Sequence, residues 1–500
     1  MKIFNKYIVI GTCLLSAMFV DTGCKKTLNI NQDPNFPTLA QGTPALVFPV
    51  GVLATTGKVG GDLAIVGGMW SQIFTQASLS QQYTDVDSYN LQNTDGFVDA
   101  PWDVMFSSGL KNYQYVITQA DSLQDWNYYL LGTVMKAYTA EVLVDLYDQM
   151  PYSQALQGAA QLNPKFDDGY SIYTSLIASI DTALGKDFTA STVTAPGSQD
   201  LIFGGKMSSW VAFANTLKLK MYLRMINAHP DVATAGITTL INSGATFINA
   251  STGGASVTNF SDAPGLDNPL YEQNIRQLNT AVNLRASKTF VSWLESNADP
   301  RINYFFGSSA PIAINQGDFR SSDPTYPNAA VFVETAVDPV DFISVAESYF
   351  MQAEADVRYF GGTKAEGLYN QGVTAAFAAT GNDASTFIAP GGAYAWGTEV
   401  EGGVTLQPIQ QIIRQKWASF AFGCHGMEGF FEHNRTGYPE QSAVYSTSLN
   451  YIPGQWVVVK NSVLTPGLMP KRLVFPYDET SRNTNAPAIV PSTTAVWWGK

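Results

Sequence analysis

Apolar residues recur along this chain mainly at intervals of three and four. Leu131, Val134, Tyr138, Val142 and Leu146 put one apolar stripe on a helix that has to stop before Pro151, because proline breaks the helical hydrogen-bond ladder. The same spacing returns at Tyr173, Leu176, Ile177, Ile180 and Leu184, with Asp167 or Asp168 placed to cap the first free amides. A third stripe runs through Trp210, Phe213, Leu217 and Met221, and Ser208 or Ser209 is positioned as its cap. Ser344-Val345-Ala346-Glu347 fits the capping-box pattern and opens a helix with Tyr349, Phe350, Ala353 and Val357 facing inward, ended by Gly361-Gly362. A partner helix from Lys364 carries Leu368, Tyr369, Val373, Ala376 and Phe377. Together they make a helical hairpin of about 35 residues, the size of a tetratricopeptide unit, although the signature of that repeat is missing.

Between the periodic segments lie stretches rich in Gly, Ser, Thr, Asn and Pro, at 185–205, 244–269, 308–339 and 381–405. Connections this long tend to carry function, so the pattern predicts a mainly α scaffold displaying a loop-rich, irregular lobe. No linker divides the chain, and residues 51–500 are expected to form a single domain.

The N-terminus departs from this pattern. Lys2 and Lys6 precede an uncharged, mostly apolar run over 7–20, the layout of a signal peptide over 1–23. The run is shorter than a bilayer-spanning helix, and no second stretch reads as long and apolar enough to span. Thr22-Gly23-Cys24 ends the run as a lipobox does, which makes Cys24 a candidate lipidated first residue; the alternative is ordinary cleavage that leaves Cys24 as a spare thiol. Residues 24–50, interrupted by Pro34, Pro37, Pro44 and Pro49, read as an extended tether. Cys13, Cys24 and Cys424 are the only cysteines, and with Cys13 inside the signal no disulfide framework is possible.

A formal charge of −13, with no basic run beyond Lys25-Lys26, excludes a nucleic-acid partner, which would require a cationic stripe. Neutral ligands are favoured. Aromatic residues make up 12% of the chain, with 24 Tyr and 10 Trp, enough to suit stacking on sugar rings.

Several passages carry a resemblance. Asp148-Gln149-Met150-Pro151-Tyr152-Ser153-Gln154-Ala155-Leu156 resembles the D-x-y-G-x-x-P-Y-x-e-A passage of SusD/RagB proteins. Pro164 to Asp167, Trp210 to Leu219, Asp299-Pro300-Arg301 and Tyr349 to Glu354 follow in the family's order. Ile413 to Trp417, Asn434 to Pro439, Arg472 to Pro476 and Val496-Trp497-Trp498 complete the set. The resemblance implies four tetratricopeptide-like helix pairs capped by a loop-rich lobe, in an outer-membrane lipoprotein with its lipid on Cys24. It implies a lid on a SusC-like TonB-dependent transporter that captures oligosaccharides, or in some members oligopeptides, for import at the cell surface. Lys25-Lys26 stand where surface-exposed lipoproteins often carry acidic residues, which leaves the leaflet open.

For chemistry, the chain holds no G-x-S-x-G elbow, no Walker A loop and no dinucleotide fingerprint, so neither an enzyme nor a cofactor is expected. No pair of acidic residues stands out as the carboxylates of a surface glycosidase, the remaining catalytic reading. His425, Glu428, Glu432 and His433 could face one another across a helical turn as metal ligands, but the order H-E-x-x-H is absent, and satisfied polar groups near a helix end are the simpler expectation. Asp85, Asp87 and Asn90 lack the order of an EF-hand, so no metal is assigned. Arg301, Arg435, Trp210 and Trp417 read as structural. The candidate ligand-binding residues are loop aromatics: Tyr83 and Tyr89 first, then Tyr326, Tyr394 and Trp396.

Overall fold

The computed structural model describes residues 42–191 and 195–500. The signal segment, Cys24 and the tether up to residue 41 lie outside the described residues. The last part of the expected tether is helical: α1 spans Pro44–Val59, with Pro44 in its first turn and Pro49 inside it. Proline fits the first turn because the N–H it lacks has no partner there. After the Gly60-Gly61 turn, α2 spans Asp62–Trp70. Contrary to expectation, this 27-residue stretch has the length and hydropathy of a membrane span, yet 72% of its apolar window is buried inside the protein. It is a core element whose apolar residues are shared between two helices.

The long central helices follow the predicted stripes. α3 (Lys111–Leu123) and α4 (Trp126–Tyr147) form a hairpin, and α4 is buried over almost all of its 22 residues, including Glu141 and Asp145 as well as the predicted apolar stripe. α5 (Gly169–Leu184) is capped by Asp168, which accepts from the Ser171 amide at 2.9 Å. α6 (Met207–Arg224) begins earlier than its serines suggest. Lys206 is the residue at the cap and supplies no side-chain capping bond, its ammonium donating instead to the Ser251 carbonyl at 2.8 Å, while Ser209 sits inside the helix and donates to the Thr252 carbonyl at 2.8 Å. α7 (Pro230–Asn242) packs back on α6, and α8 (Lys288–Ser296) follows in the loop-rich half.

α9 (Val345–Tyr359) and α10 (Ala365–Ala379) are the predicted hairpin. Ser344 caps α9 by accepting from the Glu347 amide at 3.0 Å, but the Glu347 carboxylate reaches His425 at 2.8 Å and does not close the box. α11 (Pro408–Ser419) lies against α9, and α12 (Gly426–Thr436) crosses both α11 and α2. Glycine sets the α2–α12 crossing: a Cβ on Gly67 would lie 2.1 Å from the Met427 amide nitrogen.

Among the described residues, four two-stranded antiparallel ribbons tie the segments between helices together. β1 (Phe74–Gln76) pairs with β5 (Leu284–Ala286), β2 (Gln149–Pro151) with β3 (Phe166–Asp168), β4 (Ala255–Val257) with β6 (Val340–Ile343), and β7 (Val400–Glu401) with β8 (Val404–Thr405). One continuous core of buried apolar side chains runs from Phe48 to Trp498. The architecture is mainly helical with a few short strands, as the stripes predict.

Candidate functional site

Many of the polar residues in the sequence motifs converge inside the helical layer, where they form an ion lattice. Lys220 on α6 donates to Glu428 at 2.5 Å and to Glu141 at 3.2 Å. Arg224, one turn later, pairs with Asp145 at 3.1 Å, with Glu428 at 2.5 Å and with Glu432. Arg435 closes the lattice on Glu354 at 2.6 Å and on Glu432 at 2.5 Å. All of these side chains are buried. Burial alone would raise the Glu428 carboxyl, but Lys220 and Arg224 outweigh it and hold the group at about 2.

The lattice explains why the helix carrying His425, Glu428, Glu432 and His433 brings no metal-binding set together. The two carboxylates are occupied by Lys220, Arg224 and Arg435, and His425 by Glu347. His433 shares a hydrogen bond with the Pro439 carbonyl at 3.0 Å and stacks on Trp456, and burial pushes its pKa down to about 3. Among the described residues no group of three or more His, Cys, Asp or Glu is arranged to hold a metal ion. Asp87 likewise turns inward and accepts from Thr75 at 2.6 Å and Gln316 at 2.7 Å, whereas Asp85 bonds Asn90 at the surface.

The predicted ligand aromatics do not meet on one surface. Tyr83, Tyr89, Tyr326 and Tyr394 are buried. The Tyr83 hydroxyl donates to Asn274 at 3.1 Å, and Tyr89 packs edge-on against Trp70. Tyr326 accepts from the Asn315 amide at 2.7 Å within a small separate cluster with Ile314 and Ala329. Tyr394 donates to Asp299 at 2.6 Å and stacks on Trp293 at 5.4 Å. Trp396 is half-buried and rests on Tyr369. As placed, the four tyrosines offer no open ring face to a ligand. A tyrosine in a polar loop serves equally well as an anchor, its ring filling the core and its hydroxyl satisfying a buried partner, and sequence cannot separate that role from a stacking platform.

An open cleft of about 560 Å³ lies elsewhere, between the helical segment leading into α3, the 151–164 loop and the short helix Tyr477–Arg482. The chain turns as a π-helix at Met105–Leu110, a distortion frequent at functional sites, and this turn brings Phe106 to the cleft wall. Trp102 backs the wall and is locked by Phe106 at 4.8 Å and Tyr147 at 5.0 Å. Opposite stand Leu156, in the left-handed region at φ 65°, and Leu162, 76% exposed. Asp103, Lys111 and Arg482 supply charge at the rim, and burial together with Asp478 raises the Asp103 carboxyl. Rigid apolar walls with polar groups around them suit a ligand that has both a hydrocarbon face and hydroxyls. The readable signal was Trp102 and Phe106, four residues apart, ahead of a proline-framed loop carrying an unpartnered leucine.

A model of a SusD-like family, described as "Starch-binding associating with outer membrane", matches residues 67–453. No curated relative matches the sequence. Among solved structures, a SusD homolog from Bacteroides uniformis ATCC 8492 is similar at 18% identity, with 91% of this chain and 99% of that one covered and a TM-score of 0.71. A chitin-binding SusD homolog from Flavobacterium johnsoniae is similar at 21% identity over 90% and 98%, with a TM-score of 0.70. A structure described as a chitin-binding protein gives 21% identity over 92% and 100%, with a TM-score of 0.72.

Proposed function

The chain belongs to the SusD-like family, described as starch-binding and associating with the outer membrane, and on that premise we propose that it captures oligosaccharides and passes them, without cleaving them, to a SusC-like TonB-dependent transporter. In this reading Cys24 carries the lipid, residues 25–43 are the tether, and the globule stands at the cell surface as a lid. The supporting observation is the open cleft, whose volume of about 560 Å³ accommodates a short oligosaccharide. Its Trp102–Phe106 wall is rigid before any ligand arrives, which lowers the ordering cost of binding. Tyr83, Tyr89, Tyr326 and Tyr394 then act by fixing loops, and Trp396 is the one predicted aromatic left partly accessible.

The test is binding of the mature, unlipidated protein to a panel of polysaccharides, oligosaccharides and oligopeptides, with product release followed in the same wells. Retention of one glycan class without turnover is the expected result, and Phe106→Ala should weaken it by roughly tenfold, ~1.4 kcal/mol, in a variant that circular dichroism shows to be folded at the assay temperature. Exclusive retention of peptides would transfer the cleft to oligopeptide capture. Product release would overturn the non-catalytic reading.

A further inference from the structure

A second cavity, of about 150 Å³, lies between the C-terminal end of α8, the β7–β8 hairpin and α11, and shares no residue with the open cleft. The hairpin turns through Gly402 and Gly403, at φ 54° and 83°, the two left-handed positions that a two-residue turn of this kind requires. Gly402 is also pressed against the 452–453 segment, since a Cβ there would lie 2.6 Å from Ile452 Cδ1. The hairpin is therefore fixed over the cavity, which reaches solvent beside Val400, 58% exposed.

Three buried polar atoms without partners belong to residues that line this cavity. Glu399 is 5% exposed and its Oε2 has no hydrogen-bond partner; Arg414 is 2% exposed and its Nε has none; Glu401 Oε1 has none either. All three residues line the same cavity. Leaving a buried polar atom unpaired costs about 1–3 kcal/mol, and native proteins tolerate few such atoms. Two orphan acceptor sites and one orphan donor around a single space call for an occupant that both donates and accepts.

Charge narrows the class. Arg414 is already paired with Glu401 and, at 3.1 Å, with Glu440, so the cavity has no spare positive charge for an anion. A cation gains little either, since the Glu401 and Glu440 carboxylates are already engaged by that guanidinium. Burial, outweighing Arg414, pushes the Glu399 carboxyl up to about 8, which makes it a neutral donor and acceptor at neutral pH. Trp293, held flat by its stack on Tyr394, and Ile452 give the cavity apolar walls. Hydroxyls on a compact hydrocarbon frame match every one of these features.

We propose that the cavity under the β7–β8 hairpin is a discrete subsite for one uncharged sugar ring, whose hydroxyls pair with Glu399, Glu401 and Arg414. The class of ligand rests on the glycan-capture reading above; the location does not.

The test uses the mature protein with glucose, galactose, mannose and N-acetylglucosamine supplied separately, by crystal soaking and by saturation-transfer NMR in solution. One of these sugars should occupy the cavity in hydrogen-bond contact with Glu399 and Arg414. Ser296→Phe, at the exposed mouth, should abolish the solution signal of that sugar while polysaccharide binding in the open cleft persists. Glu399→Leu should weaken the sugar by roughly tenfold or more if the variant folds, and Ser296→Phe carries the test if it does not. A cavity holding only ordered water with every sugar, or a signal unaffected by Ser296→Phe, would overturn the subsite while polymer binding leaves glycan capture standing. Loss of both polymer and sugar binding by the unmodified protein would instead bring down the glycan reading, and the subsite with it.

Discussion

At the residue scale, the polar side chains that made the motifs noticeable have mostly structural roles. Arg435 is held between Glu354 and Glu432 with no access to solvent. Arg301 does the same for Asp299 at 2.6 Å, and Tyr394 completes that pair. Removing one member of such a pair leaves the other charges buried and uncompensated, a loss of about 3–5 kcal/mol. Arg435→Met should therefore lower the free energy of unfolding in urea by that amount, and Arg435→Met combined with Glu432→Gln should recover part of it. A loss below ~1 kcal/mol would show that the lattice is far more solvated than its geometry implies. The structural role of Arg301 and Arg435 was legible in the sequence because each guanidinium sits beside a turn with acidic neighbours. The burial of Tyr83 and Tyr89 was not legible, because it depends on Asn274 and Trp70, which no local pattern connects to them.

At the element scale, helices announced by stripes and caps formed where expected, and the differences came from contacts between elements. Asp168 caps α5 as the sequence suggests, since a cap is a local bond. Ser208 and Ser209 do not cap α6, because the helix starts before them at Met207, and Ser209 instead donates to the Thr252 carbonyl of the 244–269 loop. Neither Gly67 on α2 nor Gly426 on α12 had a role that could be read in isolation. Together they let two helix backbones approach more closely than any side chain allows. Gly67→Ala, despite its better helix propensity, should destabilise the protein by at least ~2 kcal/mol in thermal or urea unfolding, because its Cβ meets backbone atoms that cannot rotate away. Unchanged or raised stability would mean that the crossing can loosen at little cost.

For the whole molecule, two sets of buried carboxyls set opposite limits on pH stability. Glu354 and Glu428 are held at about 2 in the folded protein, each by cations that outweigh burial, against an ordinary value of 4.5. The unfolded chain takes up their protons first, so the stability they give is complete above about 4.5 and is lost as pH falls towards 2. Asp87 and Asp341 are raised by burial to about 6 and Glu399 to about 8. Here the folded state keeps its protons longer, so stability declines as pH rises from the ordinary carboxyl range through 6 and on to 8. Thermal unfolding across pH should show a maximum near pH 5, falling on both sides, and Glu399→Gln should flatten the alkaline limb. A melting temperature that climbs steadily from pH 5 to 8 would contradict this balance.

The sequence by itself determined the helical scaffold, the loop-rich segments and the order of family passages, because helix periodicity, caps and turn residues act over a few positions. Tertiary structure alone decided which polar residues are sealed in an ion lattice and which aromatics line an open cleft. The open cleft takes its walls from around residues 102, 156 and 480, and the hairpin cavity from around 296, 400, 414 and 452. Which side chains share a space depends on how distant segments pack, and that information lies in no single stretch of chain.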